Sequence, residues 1–124
     1  MMKMIQTNRA PKAIGPYSQA VQAADTLYVS GQIPFDPQTM EAPKGIKAQT
    51  KQSLMNVLAI VEAAGLKKEN ILKCGVFMND LTLFSEMNAV YQEFFGNHKP
   101  ARFAVEVSKL PKDALIEIDA IATK

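Results

Sequence analysis

The sequence predicts an α+β protein in which two helices cover one face of a β-sheet. Apolar residues recur at three- and four-residue steps in two segments, as is typical of helices with one buried face. Other segments alternate polar and apolar residues or are rich in β-branched residues, which favours strands. The order along the chain is strands, helix, strand, helix, strands, which indicates a single sheet with both helices on the same side.

The two predicted helices span residues 46–64 and about 83–95. Gly65 follows the first, where a left-handed C-terminal cap is expected. In the second, Thr82 offers an oxygen to cap the N-terminus and Gly96 ends the helix. Their apolar stripes are Leu54, Val57, Leu58, Val61 and Ala64 in the first helix and Phe84, Met87, Val90, Tyr91 and Phe94 in the second.

The predicted strands cover residues 19–24, 26–33, 71–78, 102–107 and 115–122. The first two pair as a hairpin through a turn near Asp25. Pro34 ends the second, because proline cannot donate to a central ladder. Residues 34–45 contain three prolines and Gly45 and form a loop.

Two helices cover only one face of such a sheet, so the other face is expected to remain open. We expect that face to expose Arg102, Ala104, Glu117 and Ile121 beside apolar positions of the earlier strands. A half-apolar open face is a candidate oligomer interface. A site at such an interface can draw residues from two subunits.

Bulk properties exclude several classes of protein. A chain of 124 residues fits one domain, 1–124. The net charge is +2 and the lysines are scattered, so the basic footprint of a nucleic-acid binder is absent. No apolar run approaches the roughly 20 residues of a membrane span. Residues 1–6 lack an apolar signal region, so a cytoplasmic protein is expected.

Cys74 and His98 are each the only residue of their type. Cys74 is in phase with apolar strand residues, which predicts a buried thiol with a high pKa and no role as a nucleophile. His98 has no second histidine or cysteine near it in sequence. A zinc site therefore has little support, and a loop histidine is expected.

Arg102 and Glu117 are the candidate functional pair. Arg102 alternates with apolar residues in its strand, and Glu117 shares the polar face of the last strand with Asp119. A guanidinium binds a carboxylate through two parallel hydrogen bonds, and a nearby glutamate can handle water or protons. The pair therefore suits a small carboxylic-acid substrate. The alternative is a structural ion pair between the two strands.

Three shorter features remain open on their residues alone. Gly15 and Pro16 form a turn that presents the Tyr17 hydroxyl, and the alternative is a packed tyrosine, since turns that contain tyrosine are common. Gly31 interrupts a strand, which indicates either a bulge or the close approach of a ligand. Asn88 taken alone is an ordinary amide on a helix face.

Together these fragments resemble the RidA family of reactive enamine/imine deaminases. The resemblance covers essentially the whole chain and keeps the family's order and spacing. The matching motifs are Ala13-Ile14-Gly15-Pro16-Tyr17-Ser18-Gln19, Val29-Ser30-Gly31-Gln32-Ile33-Pro34, Asn88-Ala89-Val90-Tyr91, Lys99-Pro100-Ala101-Arg102, and Val105-Glu106-Val107 with Leu110-Pro111-Lys112-Asp113 running into Ile116-Glu117-Ile118.

The resemblance implies a chorismate-mutase-like fold and a homotrimer whose sheets form a central barrel, with three clefts between subunits. The implied reaction is hydrolysis of 2-iminobutanoate and 2-iminopropanoate, the tautomers of reactive enamines, to 2-oxo acids and ammonia. No metal or organic cofactor is implied.

The same resemblance assigns roles to residues of this chain. Arg102 would bind the substrate carboxylate, Glu117 would position water and transfer protons, and Tyr17 would close the pocket from the neighbouring subunit. The remaining cleft residues implied are Ser30, Gly31, Phe84, Asn88 and Ala104.

One departure from the family pattern lies after the arginine. Many members have Ser-Cys there, whereas this chain has Phe103 and Ala104. A thiol nucleophile is therefore excluded at that position. A role for the local backbone would survive the change, whereas a thiol that tunes substrate choice would not.

Two other functions are compatible with the sequence. A non-catalytic protein could use the same cleft to sense 2-oxo acids, keeping Arg102 without needing Glu117 as a proton carrier. A nuclease or translation inhibitor is the other alternative, and the scattered charge gives it little support.

Overall fold

A mixed six-stranded sheet carries both helices on one face in the computed structural model, which describes residues 2–124. The predicted α+β class is confirmed. The strands are β1 (Met2–Ile5), β2 (Ala20–Ala23), β3 (Thr26–Gln32), β4 (Ile71–Met78), β5 (Ala101–Glu106) and β6 (Ile116–Thr123), and the helices are α1 (Ile46–Ala63) and α2 (Phe84–Phe95).

The strand order is β1-β2-β3-β6-β4-β5, so β6 and β4 lie inside the sheet and β5 is an edge. The β4–β5 pair is parallel, and all other neighbours are antiparallel. A parallel pair needs a crossover, and α2 provides it. This crossover brings α2 alongside the edge strand that carries Arg102.

The core lies between the sheet and the helices. Alternate residues of β6, beginning at Ile116, are buried, and they meet apolar residues of α1 together with Met87 and Tyr91 of α2. The buried residues of β6, which recur at every second position, therefore face the apolar stripes of the helices. Among residues 2–124, neither helix combines the length and apolarity needed to cross a bilayer.

The element ends differ from the prediction in two places. The edge strand β1 pairs with β2 but was not predicted, because its methionines are largely exposed and carry little burial pattern. Thr82 does not cap α2. Instead its backbone N–H and its hydroxyl both donate to Asp80 Oδ1, at 2.9 and 2.6 Å, at the start of a short 3-10 turn that precedes Phe84. The prediction that Gly65 and Gly96 end the two helices is confirmed, and φ is +82° at Gly65 and +61° at Gly96.

The predicted exposure of Arg102 and Ala104 on the open face is wrong. Arg102 is the register partner of Cys74, and Ala104 of Val76, and both partners are buried beneath the helices. Alternation shows which residues of one strand share a face but does not show which face turns to the core. Apolar Phe103 and Val105 lie on the open side, where they are 38% and 40% exposed.

Glu117 and Ile121 do lie on the open face, as predicted. Glu117 is opposite Phe77, and Ile121 is opposite Tyr28, in the paired strands. Tyr28 is 52% exposed and, with Phe103 and Val105, makes this uncovered face largely apolar. An exposed apolar surface of this kind is typical of an association surface.

Asn56 of α1 holds the chain segment that follows β3. Its side-chain amide donates to the carbonyl oxygens of Ile33, at 3.2 Å, and Phe35, at 2.9 Å, and its Oδ1 accepts from Gln52 at 2.9 Å. Asn56 is almost fully buried. Buried amides of this kind fix a loop because the carbonyls they bind have no access to water.

We therefore expect Asn56→Ala to lower the free energy of unfolding by about 2 kcal/mol, because two carbonyls lose their donors. Gln52→Ala is the matched control, since it removes only a partner of Asn56 and should cost clearly less. Urea unfolding at one fixed protein concentration measures both. Equal losses in the two variants would contradict the assigned role of Asn56.

Candidate active site

Arg102 lies on the edge strand β5 with its side chain against α2. Its Nη1 donates to Asn88 Oδ1 at 2.8 Å. The guanidinium carbon lies 4.7 Å from the ring centroid of Tyr91 and 5.5 Å from that of Phe84. One amide and two aromatic rings thus surround the guanidinium on the helix side.

The charge of Arg102 is not neutralised by this chain. Within residues 2–124 the one ion pair is Arg9–Glu62, at 3.3 Å, and no carboxylate oxygen lies within 4.0 Å of Arg102. The alternative of a structural ion pair is therefore wrong for the single chain. A guanidinium has five N–H donors, and those not used by Asn88 can bind an anion.

Phe84 and Ala104 complete the surroundings of Arg102. Both are partly buried against the core; Phe84 faces the guanidinium from α2, and Ala104 lies two residues from Arg102 on the same face of β5. We refer to Phe84, Asn88, Arg102 and Ala104 as the arginine cluster.

Tyr17 lies in a different part of the molecule. It stands on a turn in which its backbone N–H donates to Gly15 O at 2.9 Å, and its side chain is 53% exposed. It lines a cleft of about 360 Å³ together with Gly31. Gly15 has a φ of +127°, a conformation that favours glycine and so supports this turn.

A β-bulge places Ser30 and Gly31 beside this cleft. The register between β3 and β6 shifts between Val29 and Gln32, so the bulge interpretation is confirmed. Ser30 Oγ donates to Ser18 O at 2.6 Å, which ties the bulge to the turn that carries Tyr17.

Gly31 also permits a close approach by a side chain of β6. A Cβ at Gly31 would overlap the Glu117 carboxylate and would lie 2.9 Å from its Cδ. A side chain at position 31 would displace the Glu117 carboxylate, whereas glycine leaves room for it there. We refer to Tyr17, Ser30, Gly31 and Glu117 as the glutamate cluster.

Glu117 is half-buried on the open side of the sheet. Burial, followed by the negative charge of Asp119, raises the pKa of Glu117 above its ordinary value. Asp119 itself accepts the Gly75 N–H at 2.8 Å. A carboxyl group whose pKa is raised toward neutrality is better suited to proton transfer.

The eight predicted site residues thus form two clusters. Arg102 projects from the helix-covered face and Glu117 from the open face, so one chain does not bring the two side chains together. The expectation from the sequence that both residues lie on the open face is therefore wrong for Arg102, and the two side chains do not meet within one chain. Tyr91 was not predicted as a site residue; its position three residues after Asn88 on the same helix face was the available signal.

Cys74 and His98 behave as predicted. Cys74 is fully buried, and burial raises the pKa of its thiol to about 11, so it is not a nucleophile at neutral pH. His98 follows α2 in a loop, with Nε2 2.7 Å from Ile71 O. Across residues 2–124, no three residues of histidine, cysteine, aspartate or glutamate are grouped so as to hold a metal ion.

Comparison with known proteins identifies the family. The family model described as Endoribonuclease L-PSP matches residues 7–124. A RutC family protein of Pyrococcus horikoshii is 56% identical over 100% of this chain and 99% of its own length. The 2-iminobutanoate/2-iminopropanoate deaminase of Escherichia coli is 53% identical, again over 100% of this chain and 99% of its own.

Solved structures agree with this match. The crystal structure of E. coli TdcF with bound serine has a TM-score of 0.96 at 49% identity and covers 98% of each chain. The chain therefore belongs to the Endoribonuclease L-PSP family, and its resemblance to the RidA proteins is confirmed.

The raised pKa of Glu117 predicts a pH-dependent stability. Between its ordinary value of 4.5 and its higher pKa in the folded protein, the folded state binds more protons than the unfolded state. Stability contributed by this group is therefore present at low pH and falls as the pH rises through that window. Glu117→Gln removes this dependence.

We expect Glu117→Gln to gain stability relative to wild type as the pH rises above 4.5, with no such trend below it. Denaturant unfolding at a series of pH values and one protein concentration measures the difference. Glu93→Gln, which removes an exposed carboxylate from α2, controls for net charge. A difference that does not vary with pH would refute the desolvated state of Glu117.

Proposed function

We propose that this protein hydrolyses 2-iminobutanoate and 2-iminopropanoate, the tautomers of reactive enamines, to 2-oxo acids and ammonia. The observation that carries the proposal is the Arg102 guanidinium, which is held by Asn88 and has no carboxylate partner in its own chain. The E. coli relative named as a deaminase for these two imines, 53% identical over the whole chain, supports the same reaction. The proposed deaminase is a single domain over residues 1–124 and works in the cytoplasm.

Arg102 binds the substrate carboxylate in this proposal. Two parallel N–H donors of a guanidinium match the two oxygens of a carboxylate, and lysine does not reproduce that geometry. Phe84 and Ala104 supply the apolar surface next to a short alkyl side chain. The serine bound in the TdcF structure, like the proposed substrates, is a small molecule that carries a carboxylate.

Glu117 activates the water and transfers the protons in this proposal. It removes a proton from water as the oxygen attacks the imine carbon, and a C–O bond forms. It returns that proton to the nitrogen, which has taken the electron pair of the C=N bond, and a carbinolamine results. It then moves the hydroxyl proton of the carbinolamine to the amine, and the C–N bond breaks as the C=O bond forms, which releases ammonia and the 2-oxo acid. Each turnover consumes one water and leaves the glutamate unchanged, so no cofactor is needed. Its raised pKa favours both transfers.

Two copies of the chain make one site in this proposal. Arg102 and Glu117 leave opposite faces of the same sheet, so a small substrate that touches both must lie between subunits. The apolar open face supports a homotrimer in which the three sheets form a barrel. Tyr17 and the backbone of Ser30 and Gly31 then reach the substrate with Glu117, from the neighbour of the subunit that supplies Arg102.

The Phe103-Ala104 sequence is compatible with this chemistry. Ala104 carries no thiol, and its strand is an edge of the sheet. An edge strand has backbone groups free of the ladder, which can orient water in place of a side chain. The proposal therefore assigns Ala104 a backbone role.

Replacing Arg102 or Glu117 tests these roles. We expect Arg102→Lys to lower kcat/KM at least about thirtyfold, because a charge-assisted bond worth about 2 kcal/mol is lost. Glu117→Gln should lose at least about a hundredfold in kcat while still binding 2-oxobutanoate. Ammonia release from enzymatically generated 2-iminobutanoate measures activity, and calorimetry measures binding.

Arg9→Lys is the matched control, since Arg9 is exposed and pairs with Glu62 away from both clusters. Wild-type turnover in Arg102→Lys would refute its role. A wild-type protein that binds 2-oxobutanoate but releases no ammonia would favour the alternative of a non-catalytic sensor of 2-oxo acids. RNA cleavage that survives in both variants would favour the ribonuclease suggested by the family's description.

Mixed subunits test the shared site directly. Arg102→Lys and Glu117→Gln chains, each inactive alone, should recover activity when co-expressed with different tags. With random assembly, about a quarter of the clefts take the intact residue from each neighbour, so about a quarter of wild-type activity is expected. Co-purified mixtures no more active than the separate variants would show that the two residues do not share a cleft.

A further inference from the structure

Tyr91 lies directly against the proposed carboxylate-binding group without belonging to either cluster. The Arg102 guanidinium carbon is 4.7 Å from the Tyr91 ring centroid. Tyr91 is only 7% exposed, whereas Arg102 is exposed. An exposed charged group thus rests on a buried aromatic ring.

We propose that Tyr91 is a positioning residue that, together with Asn88, sets the plane of the Arg102 guanidinium for two-point binding of a carboxylate. The proposal rests on the deaminase function above and adds a residue to its substrate-binding machinery.

The surroundings of Tyr91 keep its ring in place. The ring packs on Phe95 with centroids 4.8 Å apart. Its buried hydroxyl lies beside the Cys74 thiol. Cys74 is the register partner of Arg102 on the neighbouring strand. The ring is therefore anchored over the β4–β5 pair from which Arg102 projects.

Two contacts from one helix restrain the guanidinium in different ways. Asn88 and Tyr91 are three residues apart on α2 and so share a face. The Asn88 oxygen fixes one nitrogen, at 2.8 Å, and the ring face restricts the tilt of the group. A free arginine side chain loses rotamer entropy when it is fixed, so restraint before binding favours capture of the ligand.

Both supports are uncharged. An amide carries no net charge, and burial raises the pKa of Tyr91 above its ordinary value, so its hydroxyl stays protonated. The ring attracts the cation through its quadrupole without neutralising it. The positive charge of Arg102 consequently remains available to a carboxylate.

Steady-state kinetics of two Tyr91 variants test the proposal. Tyr91→Phe keeps the ring and should leave KM within about twofold of wild type, because the ring face supplies the contact. Tyr91→Leu removes the ring and should raise KM for 2-iminobutanoate about tenfold, with kcat and its pH dependence nearly unchanged, because Glu117 is not altered. A purely structural role would lower kcat with the folded fraction and leave KM unchanged, and that result would overturn the proposal.

A second measurement on wild-type protein keeps the test independent of whether Tyr91→Leu folds and of whether imines are the substrates. In ¹⁵N-labelled protein, the Nε–H group of Arg102 should show restricted fast motion and a ring-current shift. Arg9, whose contacts are Glu62 and the Ala59 carbonyl, is the internal reference without a ring. Arg102→Lys assigns the signal. An Arg102 signal as mobile as that of Arg9, with no ring-current shift, would overturn the proposal, whereas a restrained Arg102 without imine hydrolysis would overturn only the deaminase function.

Discussion

The register of β4 with its two neighbours is the constraint on which the site depends. β4 pairs with β5 on one side and β6 on the other, so Cys74 fixes the face of Arg102 and Phe77 fixes the face of Glu117. A shift of one residue in β5 would turn Arg102 away from α2 and push Phe103 into the core. Cys74 and Val76 are buried beneath the helices, so the β5 residues paired with them, Arg102 and Ala104, lie on that same face. Core packing therefore determines which functional group emerges on which side.

Most of the fold could be predicted because helices and buried strands carry strong periodic patterns. The predicted helix and strand ends agree with the structure to within a residue or two, and Gly65 and Gly96 marked the helix ends through their backbone freedom. β1 could not be predicted, since a short edge strand with exposed side chains has no burial period. Thr82 was the wrong cap because Asp80, two residues earlier, has a carboxylate that accepts from both donors of Thr82.

The candidate site residues were predicted one by one, but their division into two clusters on opposite faces of the sheet was not. The motifs identified Arg102, Glu117 and Gly31, yet alternation in a single strand leaves open which face meets the helices. Only the pairing of three strands resolves it. The close contact at Gly31 could not be predicted from the sequence either, because the side chain that approaches it is that of Glu117, 86 residues further along the chain. From the sequence, Tyr91 was assigned only to the apolar stripe of α2. Its ring does pack on Phe95 as a core residue would, and it also lies against Arg102.

The crossover from β4 through α2 to β5 keeps the whole arginine cluster, with Tyr91, within residues 84–104. The glutamate cluster instead joins a turn near the N-terminus to a strand near the C-terminus. In the proposed reaction, recognition of the substrate carboxylate is thus encoded in one short stretch, whereas proton transfer depends on contacts that span almost the entire chain. Exchange of that stretch between relatives would transfer ligand preference as a module, so selectivity can diverge in evolution while the reaction itself is inherited unchanged.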